Sequence, residues 1–352
     1  LIRGSFYLFS IIIIVYFSGA VIWKERTHQI NEITDALPTK NWTTWLGKYL
    51  AVLGVMVVLQ LLVMVAAILV QKSLGYRDHN LWVYVREMLV IDMLGFVFTL
   101  TLAFLIQALS PNMYLGFFLT IIFIIVNSFV WSTLKIESNM LEFGATPSYI
   151  LSDFYGYQPF GKPLFWFNTY WTLFCALLAL AAILLWPRGK ETGWKKRLKL
   201  ARLEWPGYRT FGFAAIGLFV GTAGWTYYNT QVLNKYANSA EVENRQVDYE
   251  KKYKMYEGRP QPRVYDVKYD IDLHPETRTL HVEGKFWARN ISGKPIDTLF
   301  VNTPQYGKFD IRNERISLML NDSALHWRMY RFQPAFMPGD SLLLEFSTHF
   351  EP

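Results

Sequence analysis

The residues of this chain best suited to bind a metal ion are its histidines, and their spacing does not form a zinc-peptidase site. Such a site needs two histidines one helical turn apart, with a glutamate after the first, so that both imidazoles reach one ion. No two of the six histidines stand in that relation; they are His28, His79, His274, His281, His326 and His349. The single cysteine, Cys175, lies inside an apolar segment, so no disulfide forms within the chain. We therefore assign no catalytic residue, no cofactor-binding residue and no metal ligand.

Among the polar residues inside the long apolar segments, we single out Gln60, Asp92 and Asn127. An ionisable residue within a membrane span is a functional candidate by default. Asp92, however, stands near the end of its segment and close to Arg86 and Glu87, so we interpret it as interfacial. The apolar segments contain no series of acidic and histidine residues for a proton relay and no arginine ladder. The sequence therefore disfavours an ion-driven carrier.

A polar segment after the first apolar run, residues 24–38, has the periodicity of a short helix. Ile30, Ile33 and Leu37 recur at the spacing of one helix face, and charged residues surround them. A proline predicts where the helix ends. Taken by itself, this pattern favours an amphipathic linker over a helix that docks on a partner. The residues that a docking helix would use are Glu25, Arg26, Ile30, Glu32, Ile33, Leu37 and Pro38.

Six apolar segments are long enough to cross a bilayer as helices. The hydrocarbon core needs roughly 20 apolar residues of helix, because lipid offers no hydrogen-bond partner to an open backbone. The chain is 52% hydrophobic and 18% charged, with positive mean hydropathy, whereas soluble domains carry about 25% charged residues. The predicted spans are 6–23, 49–70, 89–109, 113–131, 166–186 and 211–228, which make residues 1–228 a transmembrane region.

The positive charges of the loops predict how these spans are oriented. Cytoplasmic loops are enriched in Lys and Arg, and the stretches 24–48 and 188–209 carry four and eight of them. The alternate loops, 71–80 and 132–165, carry two each. This pattern places 24–38 in the cytoplasm and the chain after the sixth span outside. The second basic stretch has another interpretation, a membrane-surface patch that binds lipid headgroups, formed by Lys195, Lys196, Arg197, Lys199 and Arg202.

The last third of the chain has the composition of a soluble domain. From residue 229 onward it contains 17 basic and 17 acidic residues, so the net charge of +7 belongs to the membrane part. Residues 229–262 predict a polar helical stalk that ends at Gly258 and the prolines after it. From residue 263 the pattern has period two, which predicts an antiparallel β-sandwich or saddle over 263–352. The predicted strands are 264–273, 279–290, 295–301, 310–320, 325–332 and 341–350.

The run from Glu25-Arg26 through Leu37-Pro38 to Gly47-Lys48 resembles the cytoplasmic coupling helix of type-2 ABC exporter permeases. In that family a short helix containing Glu-Arg inserts into a cleft of the nucleotide-binding subunit and transmits ATP-driven movement. The resemblance implies a separate ABC ATPase subunit and a dimer of permease modules. The chain has no Walker-type phosphate loop, so ATP is expected on the partner. The family module has two spans before this helix, whereas here there is one, and we interpret the chain as an excerpt of a longer polypeptide.

The strand pattern of residues 264–275, followed by 282–286 and 290–296, resembles the N-terminal β domain of zinc aminopeptidases of the aminopeptidase N type. With the stalk residues 248–263, nearly the whole chain is similar to bacterial fusion proteins, typical of Bacteroidetes. In those proteins an ABC permease precedes an aminopeptidase-like domain. The resemblance implies that zinc would bind only in a domain downstream of this chain, and it assigns no residue here to catalysis.

Together the two resemblances imply the permease of an ABC-type exporter, multi-pass in the bacterial inner membrane, with its C-terminal domain in the periplasm. The alternative is a membrane-tethered zinc aminopeptidase whose catalytic domain lies beyond this chain and whose spans serve mainly as an anchor. A plain membrane anchor for the outer domain is a third interpretation. The implied partners are an ABC ATPase, a second permease module and the lipid bilayer, but no nucleic acid, because the basic residues fit the topology.

Overall fold

The structure, a computed structural model, forms two compact units, Leu1–Asn238 and Ser239–Pro352. It describes residues 2–76, 80–152, 154–158, 160–189, 193–234, 237–304 and 306–351. His79 and Lys190, which entered the sequence predictions, lie outside the described residues. The first unit consists of helices α1 (Ile2–Thr27), α2 (Asn31–Thr34), α3 (Asn41–Ser73), α4 (Leu81–Tyr84), α5 (Met93–Leu109), α6 (Met113–Thr133), α7 (Gly161–Leu184) and α8 (Trp194–Tyr227).

Five helices among the described residues are long and apolar enough to cross a membrane, as expected of a membrane protein. They overlap the first five predicted spans and are Phe6–Thr27, Asn41–Ser73, Leu81–Leu109, Met113–Thr133 and Gly161–Leu184. The fifth helix ends two residues before the predicted end of its span. The sixth predicted span, 211–228, coincides with the second half of α8 but is not among these five. A total of six spans therefore remains a prediction.

Helix α5 lies at the centre of the membrane unit. It packs against α1, α3, α6 and α7, and its side chains Phe96, Leu100 and Phe104 are almost completely buried. Because lipid is as apolar as these side chains, close packing rather than the hydrophobic effect holds such helices together. A second cluster joins α5 to α7 around Phe98 and the buried Cys175.

A π-helical stretch, Val85–Asp92, joins α4 to α5 within one continuous helix. A π-helical turn interrupts the regular backbone hydrogen bonding of an α-helix and often occurs at functional positions. Here the Nε2 group of Gln60 on α3 donates to the backbone oxygen of Met88 at 3.4 Å. The polar Gln60 side chain therefore satisfies irregular backbone inside the membrane unit, which is the role we assign to it.

The second unit begins with helix α9 (Ser239–Tyr253) and continues as two antiparallel β-sheets. Its strands are β1 (Arg263–His274), β2 (Thr279–Arg289), β3 (Ile296–Asn302), β4 (Lys308–Arg312), β5 (Ile316–Asp322), β6 (Trp327–Phe336) and β7 (Ser341–Phe350). One sheet has the order β1-β2-β7-β4 and the other β3-β6-β5. Both sheets contribute to one core, which includes Ile311, Leu344 and Phe346 on one side and Tyr330 and Phe332 on the other.

The predicted strand 310–320 is two strands in the structure. The chain turns between β4 and β5 at Asn313, whose side-chain oxygen accepts a hydrogen bond from the backbone N–H of Arg315 at 2.7 Å. Its amide group also donates to the backbone oxygen of Leu343 at 2.7 Å. An Asn side chain that bonds its own backbone two residues on is a turn signal. The sequence predicts one strand here because apolar residues alternate on both sides of Asn313, as they do within a single strand.

Helix α9 packs on the β-sheets through aromatic residues. The ring of Tyr253 stacks on Trp327 with centroids 5.0 Å apart, and its hydroxyl donates to Asp322 at 2.7 Å. Lys252 pairs with the same carboxylate oxygen at 3.3 Å. The predicted stalk is therefore helical over α9, and the end of that helix is fixed to the β unit.

The contact between Tyr253 and Asp322 predicts how the docking of α9 depends on pH. The hydrogen bond from Tyr253 lowers the pKa of Asp322, and burial raises the pKa of Tyr253 to about 12. Asp322 therefore stabilises the docked helix above its unfolded pKa of about 3.9, and this contribution disappears as pH falls through the lower folded value. Tyr253 stabilises it below its unfolded pKa of about 10, and this contribution disappears as pH rises toward about 12.

We accordingly expect the amide hydrogens of α9 to be best protected between roughly pH 5 and 9. Hydrogen exchange of the full chain, corrected for the intrinsic exchange rate at each pH, measures this protection. Tyr253→Phe keeps the aromatic packing but removes the phenol, so the alkaline loss of protection should vanish. An unchanged alkaline profile in that variant would show that another group controls docking.

Candidate functional site

The coupling segment, residues 24–38, is not the single helix that the sequence predicts. The last residue of helix α1 is Thr27. Gln29, two residues later, takes a left-handed backbone conformation with φ 57°. The N–H of Ile30 bonds to the oxygen of Glu25 at 2.9 Å and that of Gln29 to Arg26 at 3.2 Å. These two bonds form the Schellman motif that commonly ends a helix. Only one helical turn, α2, follows before Pro38.

The apolar side chains of the coupling segment are exposed at the surface of the membrane unit. The exposed fractions are 48% for Ile30, 70% for Ile33 and 50% for Leu37. Glu32 and Pro38 beside them are also exposed. The turn of α2 and the residues on either side of it therefore present three exposed apolar side chains in the described part of this unit.

Two charged residues near the start of the segment, Glu25 and Arg26, are partly buried instead. Glu25 forms an ion pair with Lys48 of α3 at 2.9 Å. The guanidinium of Arg26 lies 5.7 Å from the ring centroid of Trp23, and its Nη2 atom is buried with no hydrogen-bond partner in the described part of the chain. Glu25 thus links the end of α1 to α3, whereas the apolar residues of the segment are exposed.

Arg188, just after α7, anchors the far end of the coupling segment. Its Nε donates to the backbone oxygen of Asp35 at 3.0 Å, and Nη1 donates to that of Thr39 at 2.9 Å. Its Nη2 donates to the oxygen of Leu37. In return, the backbone N–H of Gly189 donates to the Asp35 carboxylate at 2.8 Å. A rigid guanidinium with several donors suits this task better than a lysine ammonium.

Helix α8 supplies a second anchor. The amide group of Asn41, in the first turn of α3, donates to both carboxylate oxygens of Glu204 at 3.1 Å. Sequence reasoning missed both Arg188 and Glu204. From the sequence, Arg188 is only one of the basic residues that predict the orientation of the spans. The available signal for Glu204 is that it is an acidic residue within a strongly basic stretch. Glu25 therefore connects the coupling segment to α3, and Arg188 connects it to the end of α7, while Asn41 and Glu204 join the start of α3 to α8.

The predicted basic patch on the first half of α8 divides into two groups. Arg197 is only 5% exposed, and its Nη1 group donates to the backbone oxygen of Ala108 in the last turn of α5 at 2.7 Å. A helix C-terminus leaves carbonyl groups without helical partners, and a basic side chain satisfies one of them there. The exposed members of the patch are Lys195, Lys196, Lys199 and Arg202.

The polar residues within the spans have structural contacts. Asn127 fixes the loop between α6 and α7, because its side-chain oxygen accepts the backbone N–H of Phe143 at 2.9 Å and its amide donates to the Phe143 oxygen at 3.2 Å. Asp92 is buried within the π-helical stretch, and its interfacial position in the membrane stays a prediction. Gln107, which the sequence did not single out, is completely buried and accepts the indole N–H of Trp23 at 2.9 Å.

Zinc, which the aminopeptidase resemblance implies, has no fitting site in this part of the chain. The described residues contain no group of three or more His, Cys, Asp or Glu side chains that could hold a metal ion. His281 and His349 face each other across β2 and β7, but the Nε2 atom of each contacts a glutamate two residues later, Glu283 or Glu351. We therefore derive no chemical step through zinc.

The chain matches no protein-family model, no curated protein and no solved structure. The function proposed below is consequently supported by the geometry of the coupling segment and by the resemblance of its sequence.

Proposed function

We propose that this chain is the permease part of an ABC-type exporter that works with a separate ATPase. It would reside in the bacterial inner membrane, with the coupling segment in the cytoplasm and the β unit outside. The basic residues of the loops support this orientation, because Lys and Arg accumulate on the cytoplasmic side. A second permease module, identical or related, would complete the translocation path.

The observation that carries the proposal is an exposed apolar surface on a rigidly anchored turn. Ile30, Ile33 and Leu37 expose about half or more of their side chains. An amphipathic helix that docks in a groove presents anchors at this i, i+3, i+7 spacing. A passive linker between two spans does not require several helices to fix it, so the anchors favour a docking function.

The anchors also provide a mechanism for coupling. Movement of a bound ATPase would displace the coupling segment, and Arg188 would pass the displacement to α7 through three backbone oxygens. Asn41 and Glu204 would pass it to α3 and α8, and Glu25 and Lys48 would link α1 to α3. Because these contacts are polar and directional, the helices would move with the segment and change which side of the membrane is open.

For the β unit we propose an aminopeptidase-like domain fused to the permease. The antiparallel sandwich and its strand sequences are compatible with that assignment. The tethered-peptidase alternative uses the same β unit but gives no role to the anchored coupling segment. A test of the segment therefore separates the two functions.

Ile33→Asp tests the proposal directly. Burying an aliphatic side chain of this size contributes about 1.5–3 kcal/mol, and a buried unpaired carboxylate adds a further cost. We expect at least tenfold weaker association with the cognate ABC ATPase, since tenfold corresponds to about 1.4 kcal/mol. Co-purification with candidate ATPases, together with stimulation of their ATP hydrolysis, measures the effect.

Leu74→Asp is the matched control. Leu74 follows α3 at the opposite end of that span and is 80% exposed, so the same chemical change occurs far from the coupling segment. Association should be unaffected by this variant. Equal association of wild type, Ile33→Asp and Leu74→Asp with every ATPase that co-purifies would contradict the docking function.

A further inference from the structure

An apolar cavity lies between helices α5, α6 and α7. It has a volume of about 440 Å³, and its walls come from these three helices and from the loop between α6 and α7. Its apolar side chains include Leu102 of α5, Val130 of α6 and Leu178 of α7. Both α6 and α7 are long and apolar enough to cross a membrane, as is the helix that contains α5. The cavity therefore lies among helices that lipid would surround.

The polar side chains of α6 in the cavity wall already have hydrogen-bond partners. Trp131 donates its indole N–H to the side-chain oxygen of Asn127 at 3.1 Å. The same oxygen accepts the backbone N–H of Phe143 at 2.9 Å, and the Asn127 amide donates to the Phe143 oxygen at 3.2 Å. An amide oxygen has two lone pairs, so the oxygen of Asn127 has no acceptor capacity left for a ligand.

The polar side chains of α7 in the cavity wall are satisfied in the same way. The hydroxyl of Tyr170 donates to the backbone oxygen of Met140 at 3.1 Å. The indole N–H of Trp171 donates to the backbone oxygen of Ala145 at 2.8 Å. Each indole, phenol and amide group among the described lining residues thus has a partner within the protein. A polar ligand would lose its hydration without gaining equivalent bonds, so the walls favour an apolar ligand.

A second, polar cavity adjoins the apolar one near the end of α6. The two cavities share Trp131 and Met140 as lining residues. The polar cavity has a volume of about 750 Å³, and its lining includes Asn139, Glu142 and Asn229. Tryptophan is enriched at the level of lipid headgroups, where apolar and polar surroundings meet. The two cavities together therefore match an amphipathic molecule with an apolar chain and a polar head.

The size of the apolar cavity argues against another membrane helix as its occupant. A helix about 10 Å wide fills roughly 420 Å³ with each turn, so the cavity has the volume of about one turn. A helix that spans the bilayer needs roughly 20 residues, or more than about five turns. Volumes of about 300–1,000 Å³ are typical of sites for small molecules, and a single flexible hydrocarbon chain can enter such a space.

We propose that the apolar cavity binds one acyl chain of a membrane phospholipid, whose headgroup lies in the adjoining polar cavity. Dispersion contacts with side chains from three helices would hold the chain, since such contacts are individually small but collectively large. The lipid would act as a structural ligand that fills the space between α6 and α7. This proposal depends neither on an ATPase partner nor on the exporter function.

The experiment uses the full chain, purified in a mild detergent and depleted of lipid. Phosphatidylethanolamine with a diazirine near the end of one acyl chain is added in equimolar amount and activated with light, and mass spectrometry of peptides locates the adducts. We expect the adducts to concentrate on two stretches that contain lining residues, 126–131 and 170–178. Val130→Trp places a larger side chain at the cavity and should reduce these adducts by about tenfold, which corresponds to about 1.4 kcal/mol.

Val58→Trp is the matched control, since Val58 of α3 is 57% exposed and is not a lining residue of the cavity. Adducts on the cavity residues should be unchanged in that variant. Leu178→Trp fills the cavity from α7 instead of α6, so an equal loss in both variants would not be due to a folding defect of one helix.

The wild type alone can overturn the proposal. Adducts spread evenly over the exposed faces of the membrane helices would show that only bulk lipid surrounds the protein. A lack of adducts on the cavity residues would show that something else, such as a second copy of the chain, covers them. Equal adducts in Val130→Trp, Leu178→Trp and Val58→Trp would also overturn the proposal.

Discussion

Under the proposed exporter function, Arg188→Gln is expected to reduce the ATP-driven activity of the assembled complex by on the order of a hundredfold while the protein stays folded. Arg188 bonds the backbone oxygens of Asp35, Leu37 and Thr39 through three different nitrogens. Glutamine has a single nitrogen donor and no charge, so about two charge-assisted bonds are lost. Each contributes about 1.5–3 kcal/mol, and a hundredfold change corresponds to about 2.7 kcal/mol. Movement of the coupling segment would then no longer reach α7.

Two variants make this prediction specific. Arg188→Lys keeps the charge but not the planar donors, so an intermediate activity is expected. Arg202→Gln removes an exposed charge from the same basic stretch and should leave activity unchanged. The measurement is ATPase stimulation and transport by the reconstituted complex, alongside binding of the ATPase. Wild-type activity in Arg188→Gln would show that the segment transmits movement by another route.

Gly116→Leu is expected to destabilise the membrane unit by about 4 kcal/mol. A Cβ atom at this position would stand 2.2 Å from the side-chain oxygen of Gln107. Gln107 has little freedom to move, because a Cβ at Gly19 would meet its Nε2 at 2.7 Å on the other side. Moving it would also break the bond from the Trp23 indole. Overpacking costs about 1–3 kcal/mol and an unsatisfied buried donor another 1–3 kcal/mol.

Gly54→Leu provides the comparison for that variant. Gly54 lies within α3, and a Cβ there would meet nothing within 4 Å. No overpacking cost is therefore expected, and the higher helix propensity of leucine should stabilise this variant by up to about 1 kcal/mol. The midpoint of thermal unfolding in detergent measures both variants. Combining Gly116→Leu with Gln107→Ala should restore part of the stability, because an alanine at position 107 leaves room for the leucine side chain. A Gly116→Leu protein as stable as Gly54→Leu would refute the close packing of α1, α5 and α6.

The membrane helices were predictable because hydropathy over some twenty residues is a local property of the chain. The end of the first helix was harder to predict. Gln29 ends α1 in a left-handed conformation that glycine normally adopts, so the sequence indicated one continuous helix over 24–38. The division of 310–320 into β4 and β5 has a similar cause, because Asn313 makes a turn inside an alternating apolar pattern.

The candidate site was only partly predictable from the sequence. The exposed apolar residues of the coupling segment follow from their periodicity, since a short polar segment has no core to bury them. Its anchors do not, because Arg188 and Glu204 act across separations of about 150 residues in sequence. The burial of Arg197 was also unforeseeable, as nothing local distinguishes it from the lysines beside it. Such contacts depend on how helices pack, which composition does not encode.

Cys175, the only sulfhydryl of the chain, is 4% exposed within α7. A maleimide reagent that does not cross membranes would therefore find almost no background thiol in the native protein. Single cysteines introduced at Ile33 and at Leu74 would each report the compartment that their position faces, in whole cells and without fusing a second protein. Labelling of the Leu74 cysteine alone from outside intact cells would establish the direction in which the spans are inserted.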